Sequence, residues 1–252
     1  MAENNFREVF FDWDGTFANT EPVSLTITRR VLSDYAQETL SEKFSRAAEA
    51  KLDSLDMRGK DFGQIGRQFQ DLLNADLLDA EKVTIDIEDL RTNKLRPATK
   101  EALLGAALAP GIADVLKELQ DDMGMGTAIV SNSPRLRIQP LVDKHAFDTR
   151  LPKSRIFSAF EDVAGKLKED PAIYLLAAQT LNVAPADAAA VEDSVTGMRA
   201  AKSAGIGLRV GYTGLTEPEH VGSMKQKLLD EGAHVVISDM RQLPGVIRSF
   251  KP

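Results

Sequence analysis

The chain has 252 residues, 43% hydrophobic and 27% charged, which is the composition of one or two globular domains and not of a disordered or fibrous chain. Thirty-eight acidic against 31 basic side chains leave a net charge of −7, arguing against nucleic acid as the main partner because phosphate backbones select basic faces. The absence of cysteine removes disulfides, thiolate metal ligands and cysteine nucleophiles together and points to a reducing interior.

Taken in chain order, the opening MAENNFREVFFDWDG carries neither the basic nor the apolar region of a secretory signal. Glu8-Val9-Phe10-Phe11-Asp12 reads as a first strand. Between Pro22 and Pro97 there is no proline and no clear strand; Leu25, Thr28, Leu32 and Tyr35 fall at helical spacing, as do Ile65, Phe69, Leu72 and Leu73. This segment reads as a helical insert forming a second, smaller domain over 19–97, with 1–18 and 98–252 as the core. The longest mostly apolar stretch, Ala102–Ala113, is broken by Gly105, Pro110 and Gly111 and falls short of the roughly 20 residues of a membrane span. A cytoplasmic protein with no membrane partner, a monomer or weak homodimer, is the expectation.

Beyond the insert, short apolar runs alternate with helical stretches. Thr127–Ser131 is followed by Ser133-Pro134, which reads as a helix cap with proline at the first helical position. Arg155–Ser158 is a weaker run, and Asp170-Pro171 repeats the cap-and-proline pattern ahead of a helix over Ala172–Leu181. Ala188–Val191 leads into Glu192-Asp193-Ser194 and a small-residue helix ending at Gly205; Gly207–Val210 and His234–Ile237 complete the strand candidates. Near-continuous apolar strands alternating with helices predict an α/β fold, a parallel sheet covered on both faces.

The chemistry-bearing residues gather at the ends of those strands. In extended chain, residues two apart face the same way, so Asp12 and Asp14 address one site while Trp13 points away, and Gly15 lets the chain turn at once. Two such carboxylates can divide into a nucleophile and an acid/base; a simple acidic turn, or an adventitious calcium site, is the plainer alternative. Ser131-Asn132-Ser133 precedes a helix N-terminus, where free N–H groups favour an anion. Lys166 lies in a loop before the next helix, and Glu192-Asp193 closes the fourth strand. Each alone fits a cap or a solvated loop; together, in this order, they describe one site at the carboxyl edge of a sheet.

This constellation resembles the haloacid dehalogenase superfamily across nearly the whole chain. Its D-x-D-G-T motif stands as Asp12-Trp13-Asp14-Gly15-Thr16, its serine motif as Ser131, its lysine motif as Lys166 and its acidic motif as Glu192-Asp193-Ser194. Asn19-Thr20-Glu21-Pro22 is similar to the branch carrying a helical cap after the first strand. The resemblance implies a Rossmann-like sheet of order 5-4-1-2-3 and a Mg²⁺-dependent phosphatase acting on a small phosphate ester, such as a sugar phosphate or phosphoglycolate-like monoester. It implies that Asp12 forms an aspartyl-phosphate and that Asp14 protonates the leaving alcohol and then activates water. Ser131, Asn132 and Lys166 would hold phosphoryl oxygens. Mg²⁺ would sit on Asp12, the Asp14 carbonyl and Asp193, with Glu192 a ligand or a neighbour of one. Lys168 is the alternative phosphate contact, and Leu167 replaces the family's usual proline after the motif lysine.

Electrostatics support such a metal independently. Two like charges ~4 Å apart repel by about 4 kcal/mol at an effective dielectric near 20. Asp12, Asp193 and a phosphate dianion would sum several such terms, which one lysine does not cancel and a hard divalent cation does.

Within the resemblance, the acid at Asp14 favours phosphate-ester chemistry over the dehalogenase and phosphonatase branches. A β-phosphoglucomutase-like isomerase is the alternative, but Ser24 stands where that branch has a histidine, and Lys60, Asp61 and Phe62 follow the cap Gly59 where it has an arginine. A non-catalytic phosphate-ligand binder is a third reading, opposed by the intact Asp12 and Asp14. Arg58, Lys60 and Arg67 of the insert are candidates for reading a second anionic group, against solvated helix faces. His145, His220 and His234 share no metal-binding spacing, and cap closure with hinges near Phe17–Asn19 and Leu95–Ala98 follows from the resemblance.

Overall fold

The computed structural model describes residues 6–39, 42–55, 57, 62–75, 82–164, 166 and 168–251. The chain divides into two compact units, Met1–Thr20 with Ala106–Pro252, and Glu21–Gly105.

The first unit is built on a parallel sheet of β1 (Glu8–Phe11), β4 (Gly126–Ser131), β5 (Ile156–Ser158), β6 (Ala188–Glu192), β7 (Leu208–Tyr212) and β8 (Val235–Ile237), ordered β5-β4-β1-β6-β7-β8. The first five parallel strands in chain order (β1, β4, β5, β6, β7) reproduce the 5-4-1-2-3 order, and β8 extends the sheet beyond β7. Two short strands, β2 (Ala18–Asn19) and β3 (Ala107–Leu108), pair antiparallel apart from it.

The strands are apolar because helices cover both faces. Every residue of β1 and β6 is buried, and β6 is mostly alanine, which lets α9 (Ala172–Thr180) and α10 (Val195–Ser203) approach closely. Phe10, Val130, Phe157, Ile173, Tyr174, Ala190 and Ala201 form one core cluster there. Burying one such large apolar side chain contributes roughly 1.5–3 kcal/mol. Register sets the site: Phe11 pairs with Ile129 on one side and Val191 on the other, so Asp12, Ser131 and Glu192 all emerge at the carboxyl edge.

The second unit is helical: α1 (Glu21–Thr39), α2 (Glu42–Ser54), α3 (Phe62–Asn74), α4 (Ile87–Asp89) and α5 (Arg96–Leu103). Ile27, Val31, Leu32, Leu52, Ile65, Phe69 and Leu73 form its own core, with Leu25, Tyr35 and Leu95 packed against it. The helical run from α4 through Leu90–Leu95 into α5 is unbroken, so Leu95–Ala98, expected as a hinge, lies inside a helix, and the unit extends to Gly105. Among the described residues no helix is long and apolar enough to cross a membrane.

Candidate active site

Leaving β1, the chain turns within a few residues. Gly15 N–H donates to the Ala18 carbonyl (2.9 Å), and the Phe17 and Ala18 N–H groups donate to the Trp13 carbonyl (3.0 Å each). Gly15 has φ +77°, and a Cβ there would stand 2.2 Å from Asp193 Oδ2, so both the turn and the approach of Asp193 require glycine. Trp13 points away into the core, stacked on Phe17 at 5.1 Å.

The two acids of this turn live in different surroundings. Asp12 is buried, and its Oδ1 accepts from Lys168 Nζ at 2.5 Å. Burial is the main influence on its carboxyl, pushing the pKa up to about 7 with help from Glu192 and Asp14, while Lys168 pulls the other way. Asp14, its side chain 31% exposed, accepts from the Thr20 hydroxyl, the Ser133 hydroxyl and Arg137 Nη2, the last at 3.2 Å.

The lysine at the site is Lys168, which corrects the expectation of Lys166. Lys166 is 63% exposed, its ammonium 3.9 Å from Asp170, whereas Lys168 is buried between Asp12 and Glu192, 2.6 Å from Glu192 Oε1. The loop is tied in at this position by the Lys168 N–H donating to Asn132 Oδ1 (2.7 Å). Burial works against the Lys168 ammonium, but Asp12 and Glu192 outweigh it and hold the pKa above the ordinary lysine range. Lys168 stands three residues before Pro171, the residue that caps the start of the next helix, and in the sequence nothing but position in the loop separates it from Lys166.

Glu192, fully buried, accepts at Oε1 from Lys168 and from the Tyr174 hydroxyl, and at Oε2 from Ser194 Oγ (3.3 Å). Asp193 Oδ1 accepts from Thr16 Oγ1 (3.0 Å); burial first, then Asp12 and Glu192, raise its pKa well above the usual carboxylate range. One oxygen each of Asp12, Glu192 and Asp193 lie within 4.8 Å of one another. Three carboxylates against the single Lys168 ammonium leave excess negative charge out of water, and an all-oxygen donor set of this kind fits Mg²⁺.

Ser131 is buried, its Oγ accepting from the Ser133 N–H (3.1 Å). Ser133 does not cap the following helix, α7 (Arg135–Lys144): Pro134 occupies that position with no side-chain bond, and the Ser133 hydroxyl is given to Asp14 instead. Ser133, Thr20, Thr16 and Arg137 are thus contacts that sequence reasoning missed. Of the insert's cations, Arg67 is exposed on α3, and Arg58 and Lys60 lie outside the described residues. His145 and His234 pack against Phe147 (6.0 Å) and Phe250 (5.0 Å).

With this geometry in view, residues 6–205 match the haloacid dehalogenase-like hydrolase family, and the chain belongs to it. It is 26% identical over 239 residues to a phosphorylated carbohydrates phosphatase of Thermotoga maritima, covering 88% of this chain and 99% of that protein. It is 38% identical over 112 residues to a CBBY-like protein of Arabidopsis thaliana, covering 44% of this chain but only 34% of the relative. A crystal structure of a conserved haloacid dehalogenase-like protein from Agrobacterium tumefaciens superposes with a TM-score of 0.68 at 26% identity, over 96% of this chain and 97% of the other.

Proposed function

We propose that this chain is a Mg²⁺-dependent phosphatase that hydrolyses a small phosphorylated metabolite, a sugar phosphate or similar monoester, through an aspartyl-phosphate on Asp12. The observation that carries the reading is the Asp12 carboxylate held against the Lys168 ammonium, with a second carboxylate, Asp14, two residues on in hydroxyl and guanidinium company. The name of the Thermotoga relative, which the chain covers almost entirely, supports phosphorylated carbohydrates as the substrate class.

In this reading Asp12 Oδ attacks phosphorus and the P–O bond to the leaving alcohol breaks, with Asp14 giving that oxygen its proton. Asp14, then ionised, takes a proton from water, which attacks the Asp12 phosphoryl group and frees inorganic phosphate. Lys168 and the Ser131 region neutralise and orient phosphoryl oxygens, since such transfer depends on positioning and charge more than on covalent chemistry. Asp12, Asp193 and the Asp14 carbonyl would hold Mg²⁺, which when bound offsets the negative charge of acid and phosphate together. Ser24 at the mutase histidine position favours hydrolysis over isomerisation. With no cysteine to oxidise, we place this work in the cytoplasm.

Hydrolysis of p-nitrophenyl phosphate with and without Mg²⁺, followed by a panel of phosphorylated sugars and acids, tests the proposal. Mg²⁺-dependent release of phosphate is expected; no release from any ester with the metal present would overturn it.

A further inference from the structure

Tyr174 has no part in the proposed reaction, yet its side chain is fully buried beside the reacting group. It sits on α9, the α-helix that precedes β6 in the chain, and its hydroxyl donates to Glu192 Oε1, the same oxygen that Lys168 Nζ reaches at 2.6 Å. Its ring lies under the same ammonium, Lys168 Nζ being 5.6 Å from the ring centroid, and packs against Phe10 of β1 at 6.3 Å. A phenylalanine would fill this core equally well. A buried hydroxyl costs free energy unless it is bonded, so its presence on a carboxylate already committed to Lys168 calls for a reason. The four groups form one buried chain, Tyr174 to Glu192 to Lys168 to Asp12, drawn from four separate segments.

We propose that Tyr174 is a positioning residue: its hydroxyl fixes the Glu192 carboxylate and its ring supports the ammonium, so that Lys168 Nζ is held against Asp12. This rests on Asp12 being the phosphoryl acceptor. Without the hydroxyl, Glu192 gains rotational freedom and the ammonium follows it away from the phosphoryl oxygens.

Tyr174→Phe keeps the ring and removes the hydroxyl alone. In the full chain with Mg²⁺ and p-nitrophenyl phosphate, it lowers kcat about tenfold, the loss of one hydrogen bond to a charged group. KM stays within about twofold, because positioning acts in the transition state and not in uniform binding. Tyr174→Leu, which also loses the ring, is slower again, and should it fail to fold, Tyr174→Phe decides. The side-chain ¹⁵N–¹H signal of the Lys168 ammonium provides a readout independent of turnover: Tyr174→Phe shifts it or broadens it away. An unchanged kcat, or a fall in kcat with that signal unmoved, would overturn the inference. A wild-type chain that hydrolyses no ester would instead overturn the phosphatase reading, and the ammonium signal alone would then judge Tyr174.

Discussion

The site has two sides, built on opposite principles although their leading acids, Asp12 and Asp14, are two residues apart. Around Asp12 the surroundings are charged and largely closed to water: buried Lys168 and Glu192 crowd together with the half-buried Asp193, and desolvation raises the Asp12 and Asp193 pKa values. Around Asp14 the side chain is 31% exposed, and two hydroxyls and one guanidinium share the work. The buried side is costly and tightly specified, suited to holding a fixed array of charges. The open side is adjustable, suited to a group that passes a proton to and from solvent-borne partners. Alternation along extended chain brings both acids to one edge, and the turn at Gly15 then separates their environments.

The largest effects belong to the buried side. Asp12→Asn should lower turnover by about three orders of magnitude or more, because an amide neither attacks phosphorus nor binds a dication well. Its melting temperature should not fall, since the change removes one of three crowded acids while Lys168 keeps Glu192. Lys168→Met should destabilise the fold by roughly 3–5 kcal/mol, because it strands buried carboxylates, and should abolish activity. Lys166→Met should leave stability within about 0.5 kcal/mol and activity nearly intact. Denaturant melts and initial rates on the two lysine variants separate the assignments; equal losses would erase the contrast between them.

A middle effect comes from the turn that joins the sides. Gly15→Ala forces a side chain into left-handed backbone at a cost of roughly 1–2 kcal/mol and pushes Asp193 aside, so activity should fall further than stability. On the open side, Ser133→Ala and Arg137→Ala should each slow turnover about three- to tenfold with no loss of melting temperature. A larger loss in either would mean that the open side is as tightly specified as the buried one.

The buried side should also respond to pH. Asp12 has its folded pKa raised above the ordinary 3.8 to about 7, so between those values the folded, metal-free chain binds more protons than the unfolded one. Its stability should therefore fall as pH rises through that window. Mg²⁺ should raise the melting temperature more at pH 8 than at pH 5, because the dication replaces the protons that relieve the cluster at low pH. Scanning calorimetry at both pH values checks the sign.

Much of this was legible in the amino-acid order. The apolar strands announced a parallel sheet because burial on both faces leaves no alternation, and the polar residues ending them marked its carboxyl edge. The lysine was not legible in the same way. Lys166 and Lys168 are two apart in one loop, and only burial under Asp12 and Glu192 distinguishes them. Ser133 misled for a related reason: Ser-Pro reads locally as a cap, but Asp14, distant in sequence, claims the hydroxyl. The antiparallel pair Ala18–Asn19 with Ala107–Leu108 is too short to show any periodicity. Local pattern specified the elements, while long-range pairing chose among near-equivalent side chains.

The central claim, that a divalent cation completes the buried acid cluster, is tested most directly by calorimetric titration of Mg²⁺ into the wild type and Asp193→Asn. The account predicts about one ion bound per wild-type chain and at least about tenfold weaker binding in the variant. No binding to the wild type, or equal binding to both proteins, would contradict it.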